Sequence, residues 1–455
     1  MDLSRHNRRL ISLTIPLTIE QLLRITMGNI NIFLLGLYND SAVAAVGVAN
    51  QFINLGQMLL TISATGGAVI ISQYIGGKND RRANEASLMS IVLSLSMGAL
   101  ICPILLIFSN PLLKMVNLDS ALLPDASSYL RIVGGTLFLH GVFSALSAVC
   151  RCYGKARLPM YGILLMNILN LTGTLLAVRG FLPWSNVVTS IACINAISTF
   201  FGLLLLFVLA LRSLSISFSP RVLRPFPLSL LKEVVGIGLP SGMDSVSYNI
   251  AQLLTTAMIA GFGVVTLSAK AYMSSIAMYV YVVGMCFGQA AQLVVASVAA
   301  SGKLDEATAL VKRNFWINLG MNAGISLLIL IFRRQVAGLF TQNEAIIDLM
   351  VVGLIIDFFT QSARAMNHSF NLALRSVGDV RFTMTLMIFA TWMITVPISY
   401  LFGVHLGWGL LGIWGASAID EAFRGGSVTV RWCLGRWKPR MQARIDAISR
   451  SRDAG

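Results

Sequence analysis

Arg151-Cys152-Tyr153-Gly154-Lys155-Ala156-Arg157-Leu158-Pro159-Met160 recurs 224 residues later as Arg375-Ser376-Val377-Gly378-Asp379-Val380-Arg381-Phe382-Thr383-Met384, with both arginines, the glycine and the methionine kept. The same offset superimposes Pro16 on Pro240 and Glu20 on Asp244, and one residue of drift brings Gly77-Lys78 onto Gly302-Lys303 and Asp80 onto Asp305. Self-similarity over so long an interval means that the chain is two copies of one unit.

The composition identifies the solvent. The chain is 56% hydrophobic and 12% charged, with a mean hydropathy of +0.76, against roughly 25% charge in an average soluble domain. This is a membrane protein. A hydrocarbon core of roughly 30 Å needs about 20 apolar residues per helical crossing. Twelve stretches meet that length, near 11–37, 45–76, 87–108, 122–150, 158–179, 184–211, 233–261, 266–300, 311–332, 346–375, 382–403 and 407–432. They are too long for barrel strands of about 10 residues, and each must satisfy its backbone internally, so the fold is all-α.

Basic residues orient the spans. Arg5, Arg8 and Arg9 precede the first, and the even-numbered loops carry Lys78, Arg81 and Arg82, then Arg151, Lys155 and Arg157, then Lys303, Lys312 and Arg313, while the tail from Arg431 to Arg452 is also basic. The opposite side has Lys114, Arg179, Arg333 and Arg334, with Glu344 and Asp348 near the last two. By the positive-inside rule both termini are cytoplasmic. The net charge of +15 thus belongs to loops at an anionic leaflet and calls for no nucleic acid. The basic, then apolar N-terminus resembles a signal peptide, but its apolar run outlasts a short h-region and reads as an uncleaved first helix. The six cysteines, Cys102, Cys150, Cys152, Cys193, Cys286 and Cys433, have neither metal-ligand spacing nor a disulfide framework and read as reduced packing residues.

The halves are a six-helix lobe over 1–214 and a second over 230–432, joined by a proline-bearing cytoplasmic connector over 215–229 and followed by a basic tail over 433–455. Six crossings per copy is an even number, so the copies share one orientation and are related by a pseudo-two-fold axis along the membrane normal. Such a parallel repeat in an apolar chain is the pattern of a transporter with two homologous lobes and a working cavity between them. Snorkelling basic loops explain the repeated arginines alone. They do not explain the matched glycine and methionine.

Taken in order, several segments resemble the multidrug and toxic compound extrusion (MATE) family. Asn31 through Gly36, Val43 through Gly47, Gly66-Gly67 and Gln73 through Gly76 look like its first two helices. The two Arg-x-x-Gly-x-x-Arg segments resemble its loops after the fourth and tenth helices, and Gly412-Ile413-Trp414 with Asp420 and Arg424 resembles its last helix. The resemblance implies an antiporter whose lobes open alternately to the two sides, expelling a small organic compound against inward H⁺ or Na⁺. It implies no prosthetic cofactor, no metal beyond a Na⁺ site, a monomer in the lipid bilayer, and placement in a bacterial inner (plasma) membrane. Pro16 matches the family's first-helix proline. At the family's carboxylate position stands Asn31, and Asn167 and Asn170 are followed by Thr174 where an Asp is usual. Both departures remove a titratable group, leaving Asn31, Asn167, Asn170 and Thr174 as lining for a polar pocket.

Charges within spans cost at least roughly 2.5 to 3.5 kcal/mol each on insertion scales and so mark candidate sites. Glu20 and Arg24 share a face of the first helix, as a structural ion pair or as part of a site. Asp244 has no cation within one turn of its own helix, which ranks it first as the carboxylate for the coupling ion, with Glu20 and Asp357 behind it. His140 and Arg364 are repeat mates, and His368 lies near Arg364; all three serve as counter-charges or substrate contacts. Asp420 with Arg424 reads as a structural pair on a peripheral last helix beside Glu421, and Lys270 lies toward the outer end of the eighth span. Pro16 and Pro240 each remove a backbone donor four residues before an acid, giving either static kinks or hinges. The four histidines lack zinc spacing, and no phosphate loop, nucleophile elbow or soluble nucleotide domain appears, so neither an enzyme nor an ATP-driven pump is indicated. The alternatives are a lipid-linked oligosaccharide flippase of related two-lobe architecture and a channel.

Overall fold

The computed structural model describes residues 3–36, 39–116, 119–179, 186–214 and 227–453; most of the expected connector, 215–226, lies outside them. The described residues form helices and no strand. Twelve long helical segments follow one another: α1 (Leu3–Gly36), α2 (Asp40–Gly76), α3 (Asp80–Ile107), α4 (Leu123–Cys152), α5 (Arg157–Val178), α6 (Val187–Ser213), α7 (Leu228–Ala260), α8 (Val264–Ala300), α9 (Leu304–Ile331), α10 (Glu344–Ser376), α11 (Val380–His405) and α12 (Gly409–Cys433). Short helices, Ser109–Met115 and Arg333–Gly338, follow α3 and α9, and α13 (Lys438–Asp453) closes the chain. Ten of the twelve are apolar enough to cross a membrane by length and composition alone. The other two, α7 and α12, carry Asp244, and Asp420, Glu421 and Arg424, through their middles. Low hydropathy there reflects inward-facing charge, not a shorter helix.

The repeat is legible in helix boundaries. Gly36 and Ala260, Gly76 and Ala300, Asp80 and Leu304, Ile107 and Ile331, Ser109 and Arg333, and Cys152 and Ser376 are all matched ends at the 224 offset. The conserved glycine of the repeated motif has a backbone reason. Gly154 and Gly378 sit at φ 76° and 83°, one residue past the caps of α4 and α10. Their N–H groups donate to Arg151 and Arg375 carbonyls, while Lys155 and Asp379 donate to Cys150 and Leu374. This is a Schellman stop, and only glycine takes the left-handed position without strain. The motif arginines are therefore in the last turn of a helix, not in the loop where the sequence placed them. The expected one-residue drift also disappears. The left-handed residues ending α2 and α8 are Lys78 (φ 55°) and Gly302 (φ 86°), 224 apart.

Within α4 the helix breaks at Thr136, whose hydroxyl turns back to the Ile132 and Val133 carbonyls. Within α11 two π-helical stretches, Thr391–Thr395 and Tyr400–His405, flank Pro397; the missing proline N–H displaces the ladder by one residue. Large apolar side chains point outward, among them Leu100, Ile107, Leu253 and Phe359. The inward face of α9 is instead a ladder of asparagines. Asn314 and Asn318 donate to Ser369 of α10, Asn318 also reaches the Gly284 carbonyl of α8, and Asn322 donates to Asn318. This inverted distribution suits a lipid solvent, where buried polar groups hold helices together. None of the six cysteines forms a disulfide.

Contact density divides the chain into two compact units, one of residues 15–72 and 80–242 and the other of residues 1–14, 73–79 and 243–455. The chain therefore passes from unit to unit inside α1, α2 and α7, all continuous helices. In the first unit the initial half of α7 packs backbone to backbone on α2, where Gly66 faces the Val234 carbonyl and Gly238 the Ile62 carbonyl with no room for a Cβ. In the second unit α13 is strapped across the helix ends. Trp437 stacks on Trp432 at 4.4 Å, Ile448 is buried, Arg444 bonds Gln73 at 3.0 Å, and fully buried Asp379 receives Arg431 and Arg440.

Lys78 pays for its left-handed backbone, so Lys78→Gly should raise stability by about 1 kcal/mol, and Gly378→Ala should lower it by about 1 to 2 kcal/mol. Thermal unfolding of the detergent-solubilised protein measures both; equal effects of opposite sign to these would rule out the assigned turn.

Candidate functional site

Each unit contains one charged cavity, and the two are related by the repeat. In the unit of residues 15–72 and 80–242 a cavity of about 240 Å³ is lined by Glu20, Arg24, Gln57, His140, Ser147 and Arg151, among others. In the unit containing residues 243–455 a cavity of about 560 Å³ is lined by Asp244, Tyr248, Tyr281, Arg364, His368 and Asn371, with further residues from α8, α10, α11 and α12. Glu20, Arg24, Gln57, His140 and Ser147 stand at the positions of Asp244, Tyr248, Tyr281, Arg364 and Asn371.

At the centre of each lies the same ion pair. Glu20 Oε2 receives Arg151 Nη1 at 3.1 Å, and Asp244 Oδ2 receives Arg375 Nη2 at 2.6 Å. Helix geometry explains both. The acid projects inward four residues past the proline of α1 or α7, and the arginine occupies the final turn of α4 or α10, just before the glycine stop. Arg375 Nε also donates to the side-chain amide oxygen of Asn371 at 3.1 Å. The acids are not equivalent in surroundings. Glu20, 3% exposed, also meets Arg24 at 3.5 Å, but Arg24 is 44% exposed, so the inter-helical Arg151 is the stronger partner.

Asp244 ranks first in the sequence because its own helix offers no cation within one turn. That remains true of α7, but α10 supplies Arg375 across the cavity. Sequence spacing sees only neighbours on one helix. Arg364 is the counter-charge of Glu421, at 2.9 Å, and stacks over Tyr281 at 5.3 Å. Glu421 takes a second hydrogen bond from Asn367 at 3.0 Å. His368 meets the Tyr281 ring edge-on at 5.1 Å, and His140 shares a hydrogen bond with Thr199 at 3.2 Å. Asp357 accepts from the Gln361 amide at 3.3 Å and has no cation in salt-bridge reach.

The last helix is not peripheral: Asp420, Glu421 and Arg424 are all buried, and Glu421, Arg424 and Trp414 line the larger cavity. Arg424 joins Asp420 at 2.8 Å and the Thr391 hydroxyl, in the first π-helical stretch of α11, at 2.7 Å. Asn31, Asn167, Asn170 and Thr174 line neither cavity. Asn167 instead caps the Leu23 carbonyl of α1 at 3.0 Å, and Asn170 and Thr174 are buried between helices. Among the described residues no group of three or more His, Cys, Asp or Glu converges as a metal site. The residues that sequence reasoning left out of the site are Arg151, Arg375, Tyr281, Asn371 and Glu421. The signal for the first two was present, since both arginines repeat at the offset that pairs the acids.

A twelve-helix apolar fold with a charged cavity inside each repeat defines a multi-pass membrane transporter. The MatE family model matches residues 16–176 and again 240–401, each copy beginning at its proline, and the chain belongs to this family, the multidrug and toxic compound extrusion transporters. It is 32% identical over 429 residues, 94% of both chains, to the uncharacterized transporter YisQ of Bacillus subtilis (strain 168). It is 22% identical to the probable multidrug resistance protein NorM of Thermotoga maritima, covering 95% of this chain and 93% of that one. A solved MATE structure in the bent conformation shares the fold, with a TM-score of 0.86 at 18% identity over 98% and 97% of the two chains. A mutant of the Vibrio cholerae MATE transporter VcmN does so with a TM-score of 0.87 at 17% identity over 98% of each. The family consists of transporters, not enzymes.

If the pairs hold the repeats together as described, Arg375→Met alone should destabilise the protein by about 3 kcal/mol, and adding Asp244→Asn should recover most of that loss, because only the single variant strands a buried charge. Thermal midpoints of the two singles and the double supply the cycle. Additive losses would remove the pair.

Proposed function

We propose that this protein is a secondary active exporter that exchanges a small organic compound for an inward-moving cation, its two lobes opening alternately to the two faces of a bacterial inner membrane. The observation that carries this reading is the twinned acid–arginine pair, Glu20 with Arg151 and Asp244 with Arg375, placed one helical turn past Pro16 and Pro240. Each proline also lies within three residues of the point where its helix leaves one compact unit for the other. The acid and its arginine lie in one unit, so the pair anchors the helix just beyond the proline, and a bend there would strain the pair. Conversely, neutralising the acid would free the arginine and change the cost of each bend. Two coupled states of this kind are what alternating access requires.

The coupling ion is the proton. In each pair a guanidinium already holds one carboxylate oxygen, Glu20 Oε2 or Asp244 Oδ2, and repels a Na⁺ that would need it as a ligand, whereas a proton needs only one oxygen and releases the arginine without replacing it. The larger cavity carries acids and bases together in about 560 Å³. That volume and mixture favour a compact organic compound over a lipid-linked oligosaccharide. Pro16 and Pro240 act as hinges, and the basic helix α13 and the two Schellman loops share the cytoplasmic face, with both termini.

In reconstituted vesicles loaded with a panel of fluorescent organic cations and zwitterions, a pH gradient imposed alone should drive efflux, and a Na⁺ gradient imposed alone should not. Asp244→Asn and Glu20→Gln should each cut proton-driven efflux about tenfold or more. Undiminished coupling in both variants would end this reading; efflux driven by Na⁺ alone would change the ion and keep the exchange.

A further inference from the structure

Most of the charge in the larger cavity is already spoken for. Asp244 is taken by Arg375, Glu421 by Arg364, and Arg424 by Asp420. Among the described residues, two lining residues of opposite sign, Asp357 and Lys270, form no salt bridge. Asp357 of α10 accepts from the Gln361 amide, Gln361 in turn accepts from Arg364, which is itself paired with Glu421, and Asp357 is 5% exposed. Lys270 of α8 donates to the Thr256 hydroxyl and meets no carboxylate. A charge removed from water without a counter-charge is costly, and a cavity that keeps one of each sign is poised to be neutralised by its contents.

The spacing of the two poles follows from helix register. Gly353 packs against Met273, and the His368 carbonyl packs against Gly288, so a residue of α8 lies beside the residue of α10 numbered 80 higher. Asp357 is thus level with Ala277, two turns from Lys270 on the same helix, or about 10 Å along the axis at 1.5 Å per residue. Lys270, Ser274, Ala277 and Tyr281 form one stripe on the cavity wall, and Trp414 closes it from α12. The wall around the poles mixes the Tyr281 and Trp414 rings and Ala277 with the hydroxyls of Ser274 and Thr360.

We propose that the cargo is amphoteric: an organic compound with an aromatic or apolar body, a cationic group that pairs with Asp357 and an anionic group, about 10 Å away, that pairs with Lys270. This rests on the larger cavity being the cargo site, as proposed above. It assigns the Asp357 carboxylate to the cargo, leaving Asp244 and Glu20 to the coupling ion. Lys270 becomes the residue that separates zwitterions from simple organic cations.

Rhodamine B, which carries a xanthylium cation and a carboxylate, and its ethyl ester, which carries the cation alone, form a matched fluorescent pair. Their equilibrium binding to the full-length protein in detergent is read by fluorescence anisotropy, with no gradient present. The acid should bind about tenfold tighter than the ester, the worth of one charge-assisted contact. Lys270→Ala should bring the acid down to the level of the ester and leave the ester unchanged, which also shows that the variant is folded. Lys270→Arg should restore the preference, and Asp357→Asn should weaken both dyes. The proposal is overturned if the ester binds as well as the acid, if Lys270→Ala weakens both equally, or if neither dye binds. Because no gradient is applied, loss of proton-driven exchange would leave a charge-selective result standing, and loss of selectivity would leave exchange standing.

Discussion

A carboxylate inside a hydrocarbon layer must have a partner, and in this protein the partner comes from another helix of the same repeat. Glu20 and Asp244 sit on the first helix of each repeat, and Arg151 and Arg375 sit in the last turn of the fourth. Much else follows from that constraint. The arginine can reach inward only if its helix stops just beyond it, so a left-handed glycine follows three residues later in both copies. The pair anchors the acid's own helix just beyond a proline, which stands one turn before the acid in both. Proline, acid, arginine and glycine recur together at one offset in both copies.

The copies have nevertheless diverged around this shared pair. Where the first repeat places Arg24, Gln57 and Ser144, the second has Tyr248, Tyr281 and His368. Aromatic rings replace flexible polar chains, and the cavity grows from about 240 to about 560 Å³. α12 adds Glu421, Arg424 and Trp414 to the second cavity alone. Duplication permits such divergence because each lobe can change its cavity without losing its fold.

The interior is held by hydrogen bonds to a degree unusual for so apolar a chain. In lipid, burying a leucine gains little, since the surroundings are already apolar, and helix contacts rely on close packing and polar pairing. The asparagine ladder of α9 and the backbone contacts of Gly66 and Gly238 express these two solutions. Across the helix ends α13 uses ordinary chemistry instead: stacked tryptophans and arginines shared by Asp379.

Length, hydropathy and the 224-residue offset determined the class, the twelve helices and the pairing of Glu20 with Asp244 as equivalents, because periodic apolarity and self-similarity are properties of the chain taken in order. The candidate acids were legible for the same reason, since an intramembrane charge stands out against its neighbours. Which charges neutralise which was decided only by tertiary structure. The partners of Asp244 and Glu20 are each 131 residues away, and Glu421 finds Arg364 across 57, distances over which spacing carries no information. For the same reason sequence put α12 at the periphery, although its Asp420, Glu421 and Arg424 are buried. A helix's own pattern shows that it has a polar face; only packing against other helices decides what that face meets.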